Sequence, residues 1–211
     1  MEKSVYSNLN LHQVAAETDT FTSERYLQFI RHFRSGTRSV LDIGCATGRG
    51  GFIIKKNCPG IKLYGLDVVE ERIEKIRKEN IYEHLYVASA IQIPCNDNTF
   101  DAVVAGEFVE HISPDDFNKV LSELYRVLVK NGKLFLTTPN PKSLLVRLGR
   151  NSVLKDPSHL SILTMGELEQ KLLLNGFKNI KIKGSGKASR IFGEGFPLMS
   201  VYGSYLICSE K

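Results

Sequence analysis

The sequence predicts a single-domain α/β fold, a doubly wound and mostly parallel sheet of seven strands closed by an antiparallel carboxyl-terminal hairpin. Three observations carry this expectation. Short β-rich runs alternate with helical ones through the middle of the chain, the pattern of parallel strands joined by crossover helices. One apolar run breaks into a glycine-rich loop, V-L-D-I-G-C-A-T-G-R-G-G over residues 40–51, and such loops lie at the ligand-binding end of open sheets. The 211 residues are 42% hydrophobic with no composition break, enough for one well-buried core.

The elements follow in order. A polar leader dotted with aromatics carries helical spacing over residues 21–33. Strands are expected at 39–43, 62–66, 85–88, 102–105 and 133–137, where β-branched and aromatic residues cluster between turn residues. Helices at 52–57, 70–80 and 115–129 fill the intervals. In S-P-D-D, Ser113 is placed to cap the last of these, Pro114 suits its first position, and Asp115 and Asp116 complement the positive end of its dipole. Asn131-Gly132 supplies a left-handed residue to stop it before the next strand. After T-T-P-N-P come a basic irregular stretch, a helix over 165–175, a strand over 179–183 and a last strand over 204–209. Residues 1–36 read as a helical lid segment and 37–211 as the domain proper.

Composition narrows the function classes. No apolar h-region opens the chain and no run approaches the ~18 apolar residues of a membrane span, so a soluble, cytoplasmic protein is expected. Cys45, Cys58, Cys95 and Cys208 lack C-x-x-C spacing and read as reduced thiols rather than a zinc ribbon or disulfide framework. The net charge is +5. It is concentrated between residues 142 and 190, where ten Lys/Arg face only Asp156, Glu167 and Glu169. That bias favours an anionic partner.

The glycine loop selects its ligand by what it lacks. No G-K-[ST] is present to grip phosphates, and counting G-x-G-x-x-G from Gly44 puts Ala46 and Arg49 where glycines belong. Asp42 at the strand end would repel a pyrophosphate and attract an ammonium or sulfonium group. Gly44 and Gly48 then serve close approach. A second acid, Asp67 in K-L-Y-G-L-D, is placed to accept from both hydroxyls of a ribose. S-adenosyl-L-methionine has both a cationic amino-acid end and a nucleoside end.

These residues give the sequence a resemblance to the class I S-adenosylmethionine-dependent methyltransferases, in particular the group acting on small molecules and glycans and including ubiquinone-pathway enzymes. V-L-D-I-G-C-A-T-G is similar to that family's glycine motif and G-L-D to its ribose acid. A-S-A-I-Q-I-P and N-T-F-D-A-V-V-A-G-E-F-V-E-H-I resemble its adenine loop and fourth strand, and L-Y-R-V-L-V-K-N-G-K-L-F-L-T-T-P-N and L-L-L-N-G-F-K-N-I its later elements. The resemblance implies a Rossmann-like fold and a cofactor site of Asp42, Gly44, Cys45, Ala46, Gly48, Asp67, Val68, Ser89, Ala90, Ile91 and Glu107. Ala46 stands where the family commonly has a glycine, and Ser89 where an acid usually receives the adenine amino group, so a weaker acceptor is expected there.

The reaction implied is methyl transfer to an oxygen or nitrogen of a small-molecule or glycan-like, anionic acceptor, with Glu110 and His111 supplying the base. An RNA-directed enzyme is the alternative that the basic stretch suggests, opposed by the lack of interleaved aromatics. A non-catalytic cofactor-binding protein is a third. The stretch E-F-V-E-H also resembles the metal-binding E-x-x-E-H of some relatives, with Glu107, Glu110 and His111 on one helical face and His159 as a further ligand; no metal is assigned on this ground. Tyr6, His12 and Phe21 could close a lid or simply pack. Asp101 reads as a local backbone partner and Cys45 as an unreactive thiol. A monomer or homodimer is expected.

Overall fold

The computed structural model describes residues 3–11, 20–149 and 152–211 of the chain. His12 lies outside the described residues, as does the side chain of Phe21. A seven-stranded sheet forms the centre, built from β1 (Ser39–Ile43), β2 (Lys62–Asp67), β3 (His84–Val87), β4 (Phe100–Gly106), β5 (Leu128–Pro139), β6 (Lys178–Ser185) and β7 (Ser204–Glu210). The strand order is β3-β2-β1-β4-β5-β7-β6. The first five strands pair in parallel, while β7 runs antiparallel to both β5 and β6. The order in which strands are added across the sheet therefore reverses between β1 and β4, and the loops after those strands open a crevice.

Helices cover both faces: α1 (Lys3–Asn10), α2 (Thr20–Arg31), α3 (Arg49–Asn57), α4 (Glu70–Arg77), α5 (Phe117–Val127), α6 (Leu144–Arg147), α7 (Met165–Leu174) and α8 (Lys187–Phe192). Strand alternation sorts the core. In β1, Val40 joins Tyr26 and Phe29 of α2 and Ile54 of α3 on one face. Leu41 and Ile43 join Leu124 of α5, Leu172 of α7 and Phe177 on the other. Tyr26 and Phe29 of α2 are buried in the same cluster as Val40.

The strands lie where the sequence places them, and the corrections are local. Helix α3 starts at Arg49 rather than residue 52, with Gly48 as its left-handed N-cap. Helix α5 starts at Phe117, because Ser113-Pro114-Asp115-Asp116 forms a turn held by Asp116 N–H on Ser113 O at 3.1 Å and Ser113 Oγ on Asp116 Oδ2 at 3.1 Å. Ser113 thus closes the turn and does not cap the helix. Asn131 is left-handed as expected, with φ 63°, yet the helix has already ended at Val127. Asn131 and Gly132 form a kink inside β5, between the pairings of Leu128 with Phe100 and of Lys133 with Ala102. The expected antiparallel pair closes the sheet as β6 and β7, with β7 inserted between β5 and β6 and α8 in the connection. Asp101 bonds a different strand rather than its own turn: its Oδ2 accepts from Arg38 N, Ser39 N and Ser39 Oγ, each at 2.9 Å.

Candidate active site

A cavity of about 450 Å³ opens at the carboxyl ends of β1, β2 and β4, within the range of small-molecule sites. Its floor is the loop after β1. Gly44 and Cys45 donate their N–H groups to Leu66 O at 2.8 and 3.1 Å, which binds the loop to β2. Gly44 has φ +68°, and a Cβ there would stand 2.9 Å from Phe108 Cδ2, so the backbone approaches the β4 loop as only glycine allows. Ala46 is left-handed too, at φ 47°, a conformation costly for a side-chain-bearing residue. Asp67 holds it there: Oδ2 accepts from Ala46 N and Oδ1 from Val69 N, both at 2.9 Å. Burial raises the Asp67 carboxyl above its usual value, against those bonds and the Arg72 guanidinium, 3.9 Å away.

Ten residues expected at the site line the cavity: Gly44, Cys45, Ala46, Asp67, Val68, Ser89, Ala90, Glu107, Glu110 and His111. Asp42, Gly48 and Ile91 are absent from its wall. For Asp42 the reason is strand alternation, which turns it toward the same face as Val40. There its carboxylate is fully buried, Oδ1 accepting from Tyr26 Oη at 2.6 Å and Oδ2 from Tyr82 Oη at 2.8 Å. Burial pushes it up to about 7 despite both bonds. Gly48 instead meets Ile76, whose Cγ2 would stand 2.8 Å from an added Cβ. Burial, with the Asp42 charge beside it, pushes the Cys45 thiol well above its usual range, as suits an inert residue.

The far wall carries the ionisable groups. Glu107 follows β4 at φ 50°, its N–H donating to Thr137 O at 2.9 Å, and its Oε1 lies 3.4 Å from Arg25 Nε of α2. Glu110 and His111 sit on a 3₁₀ turn, Val109–His111. The Glu110 side chain is fully buried. Its Oε2 accepts from Thr138 Oγ1 at 3.0 Å, and its Oε1 has no hydrogen-bond partner among the described residues. Burial and the Glu107 charge push its carboxyl well above the usual range. Residues 158–161 clamp this turn: Leu160 and Ser161 N–H donate to Glu110 O at 2.7 and 2.9 Å, and His111 Nδ1 lies 3.1 Å from Ser158 O. A carbonyl has no proton to give, so Nδ1 carries the hydrogen and Nε2 is the lone-pair nitrogen. Burial, then His159, lowers His111 to about 4. His159 packs edge-on against it with ring centroids 4.9 Å apart.

Sequence reasoning missed several wall residues. Arg25, Arg49 and Arg72 bring cations to the cavity from α2, α3 and α4, whereas among the described residues no Lys or Arg of the basic stretch 142–190 lines it. Tyr6 of α1 reaches the cavity and donates to Asp116 Oδ2 at 2.9 Å. The Asn10 carbonyl accepts from Arg72. Nothing in the local sequence marks these contacts, which are 62 to 110 residues apart.

The sheet order, the loop that only glycine can form at position 44 and a carboxylate ending β2 in the cavity wall define the class of the fold, that of the class I S-adenosylmethionine-dependent methyltransferases. Residues 41–136 match the family model described as a methyltransferase domain. The chain is 28% identical over 170 residues to a demethylmenaquinone methyltransferase of Lactobacillus johnsonii, covering 68% of this chain and 69% of that protein. It is 32% identical over 126 residues to one of Symbiobacterium thermophilum, covering 56% of this chain and 49% of the relative. Against several curated relatives the match thus spans about half of their length. A solved S-adenosylmethionine-dependent methyltransferase from Archaeoglobus fulgidus superposes with a TM-score of 0.73 at 23% identity, covering 98% of this chain and 99% of that one. Among the described residues no helix is long and apolar enough to cross a membrane.

Proposed function

We propose that the chain methylates a small acceptor with an acidic hydroxyl, and that His111 Nε2 takes the proton. The observation that carries this is the Nδ1 bond to Ser158 O, which fixes the tautomer and leaves Nε2 as an unprotonated nitrogen in the cavity wall. The residues present fit the cofactor. Gly44 and Cys45 allow close approach of its amino-acid end, Asp67 and Val68 would hold the ribose, and Ser89 and Ala90 the adenine edge. Asp42 acts behind the loop, fixing Tyr26 and Tyr82, Gly48 turns the chain into α3, and Ile91 packs against the main core. S-adenosylmethionine supplies an electrophilic methyl group on a sulfonium. Glu110, whose carboxyl burial raises well above the usual range, offers Oε1, which has no partner among the described residues, to an acceptor oxygen, and Arg25 balances Glu107 or an anionic group of the ligand. α1, with Tyr6 and Asn10, closes the entrance as the lid.

Removing a proton from a hydroxyl of an aromatic ring makes both that oxygen and the neighbouring ring carbon nucleophilic. This reading therefore accommodates oxygen methylation and the carbon methylation that one relative's name, ubiquinone/menaquinone biosynthesis C-methyltransferase, describes. The test is a panel of phenols, quinols and amines with radiolabelled S-adenosylmethionine, followed by His111→Gln on the accepted substrate. Turnover should fall by a factor of about 10²–10⁴ with cofactor affinity unchanged. A variant that keeps its turnover refutes the assignment of the base.

One observation favours a second reading. Glu110, His111 and His159 each place a ligand atom within 4.8 Å of the others, a set suited to a divalent ion that would polarise an acceptor oxygen. Glu107 is not part of that cluster. Turnover abolished by a chelator and restored by manganese would select this reading, and indifference to the chelator would remove it.

A further inference from the structure

The carboxyl end of the sheet carries a second surface that the cavity does not use. Helix α6 leaves β5 there, and α8 leaves β6 there too, because both strands run opposite to β7 and hence the same way. The two segments are fastened together. The Asn140 amide donates to Met199 O and Tyr202 O, both at 3.0 Å, and its N–H to Gly203 O at 2.9 Å. Tyr202 Oη donates to Gly193 O at 2.6 Å and accepts from Phe196 N at 3.1 Å. Phe192 and Phe196 stack with ring centroids 5.0 Å apart.

This fastened platform holds large apolar side chains in water. Leu148 is 69% exposed, Ile191 77% and Leu198 56%, and Leu145 and Phe192 are each about half exposed. Helix α6 packs against the turn Met199–Val201, and Phe196, which stacks on Phe192, lies in the connection from α8 to that turn. Apolar exposure gathered at one end of the sheet in this way marks an interaction surface. Its charge is one-sided. Lys142, Arg147, Lys187 and Arg190 are exposed within residues 140–149 and 186–192, and neither stretch contains an acid. Arg190 Nε lies 3.5 Å from Glu24 Oε2 of α2.

We propose that this face docks on the surface of an anionic lipid bilayer, with the leucine, isoleucine and phenylalanine side chains entering the interfacial layer and the four cations meeting lipid phosphates. Apolar side chains ringed by Lys and Arg are the chemistry of a membrane-surface element. A second copy of the chain fits less well, because a two-fold contact would set the same four cations against themselves. Docking in this way sets the end of the sheet that bears the cavity toward the bilayer. It does not depend on which acceptor is methylated.

The test is flotation of the whole chain with vesicles of phosphatidylcholine alone and of phosphatidylcholine with phosphatidylglycerol. The protein should float with the anionic vesicles and be released as salt screens the attraction. Lys142→Gln with Lys187→Gln should lower the partition about fivefold for each cation removed, and Leu148→Glu with Ile191→Glu should abolish it. All four positions are exposed, so both double variants should keep the wild-type melting temperature and cofactor affinity, which controls for folding. Equal partition to neutral and anionic vesicles, no flotation of the wild type, or flotation undiminished in the glutamate pair would each overturn the proposal. Light scattering that shows a dimer dissolved by the glutamate pair would give the face to a second copy and overturn it as well.

Discussion

Replacing Tyr26 with Phe removes one hydroxyl from the pair that holds Asp42 and leaves the ring that packs against Gly50 and Gly106. The consequence depends on the charge of Asp42. Burial moves that carboxyl from 3.8 to about 7, about three units, so ionising it costs roughly 4 kcal/mol more in the fold than in the unfolded chain. Asp42 binds its proton more tightly when folded. Its contribution to stability is therefore fully present below 3.8 and is lost as pH rises through about 7. Across that window the protonation state also sets the worth of the Tyr26 bond, about 1 kcal/mol to a neutral carboxyl and about 1.5–3 kcal/mol to a carboxylate. Tyr26→Phe should accordingly cost about 1 kcal/mol near pH 5.5 and about 2–3 kcal/mol near pH 8.5. Urea denaturation followed by circular dichroism at the two pH values measures both. Equal losses at the two pH values, or none, would refute the titration of a buried Asp42 against Tyr26.

Two further substitutions probe the loop between β1 and α3 in opposite directions. Ala46→Gly relieves a left-handed alanine at the expense of greater freedom in the unfolded chain, and should raise stability by about 0.5–1 kcal/mol, seen as a melting temperature higher by roughly 1–4 °C; a lower melting temperature would mean that the Ala46 methyl group contributes packing instead. Gly44→Ala adds a Cβ 2.9 Å from Phe108 at φ +68°, so it should lose about 1–2 kcal/mol of stability and about tenfold in cofactor affinity by calorimetry; unchanged affinity would put the ligand elsewhere.

The fold was legible because its signals are periodic and local. Residues 39–43, 62–66 and 133–137 are buried strands whose apolar runs end at turn residues, and the structure moves their ends by a few positions. The exceptions have local causes: Asn131-Gly132 looks like a helix stop in one dimension and is a kink within a strand in three. The site was legible where a loop contributes its own backbone or where a side chain follows a strand closely, as at Gly44, Asp67, Ser89, Glu107, Glu110 and His111, and Tyr6 and His159, named as lid and ligand candidates, also line the cavity. Arg25 and Arg72 arrive from helices whose local pattern gives no sign of it. Charge counting along the chain pointed to residues 142–190, although the cations in the wall come from α2, α3 and α4.

Asp42 shows why an acid can open a glycine loop without touching the ligand. Two tyrosines converge on it, Tyr26 from α2 and Tyr82 from the connection before β3. Their rings need space over the start of α3, and the glycines of R-G-G provide it: a Cβ on Gly50 would stand 2.0 Å from Tyr26 Cζ, and one on Gly51 would stand 2.2 Å from Tyr82 Oη. Of the four glycines between residues 40 and 51, one therefore shapes the cavity floor, one turns the chain into α3, and two seat the tyrosines. The acid and the second pair of glycines form one device, a buried carboxylate bridging the sheet, α2 and the β3 connection. It fixes the loop from behind, while the face turned to the cavity is left to backbone atoms and to Asp67. A change at Gly51 would thus reach the cavity through Tyr82, by loosening Asp42, whereas one at Gly50 would displace Tyr26 and also alter the cavity wall, to which both Gly50 and Tyr26 belong.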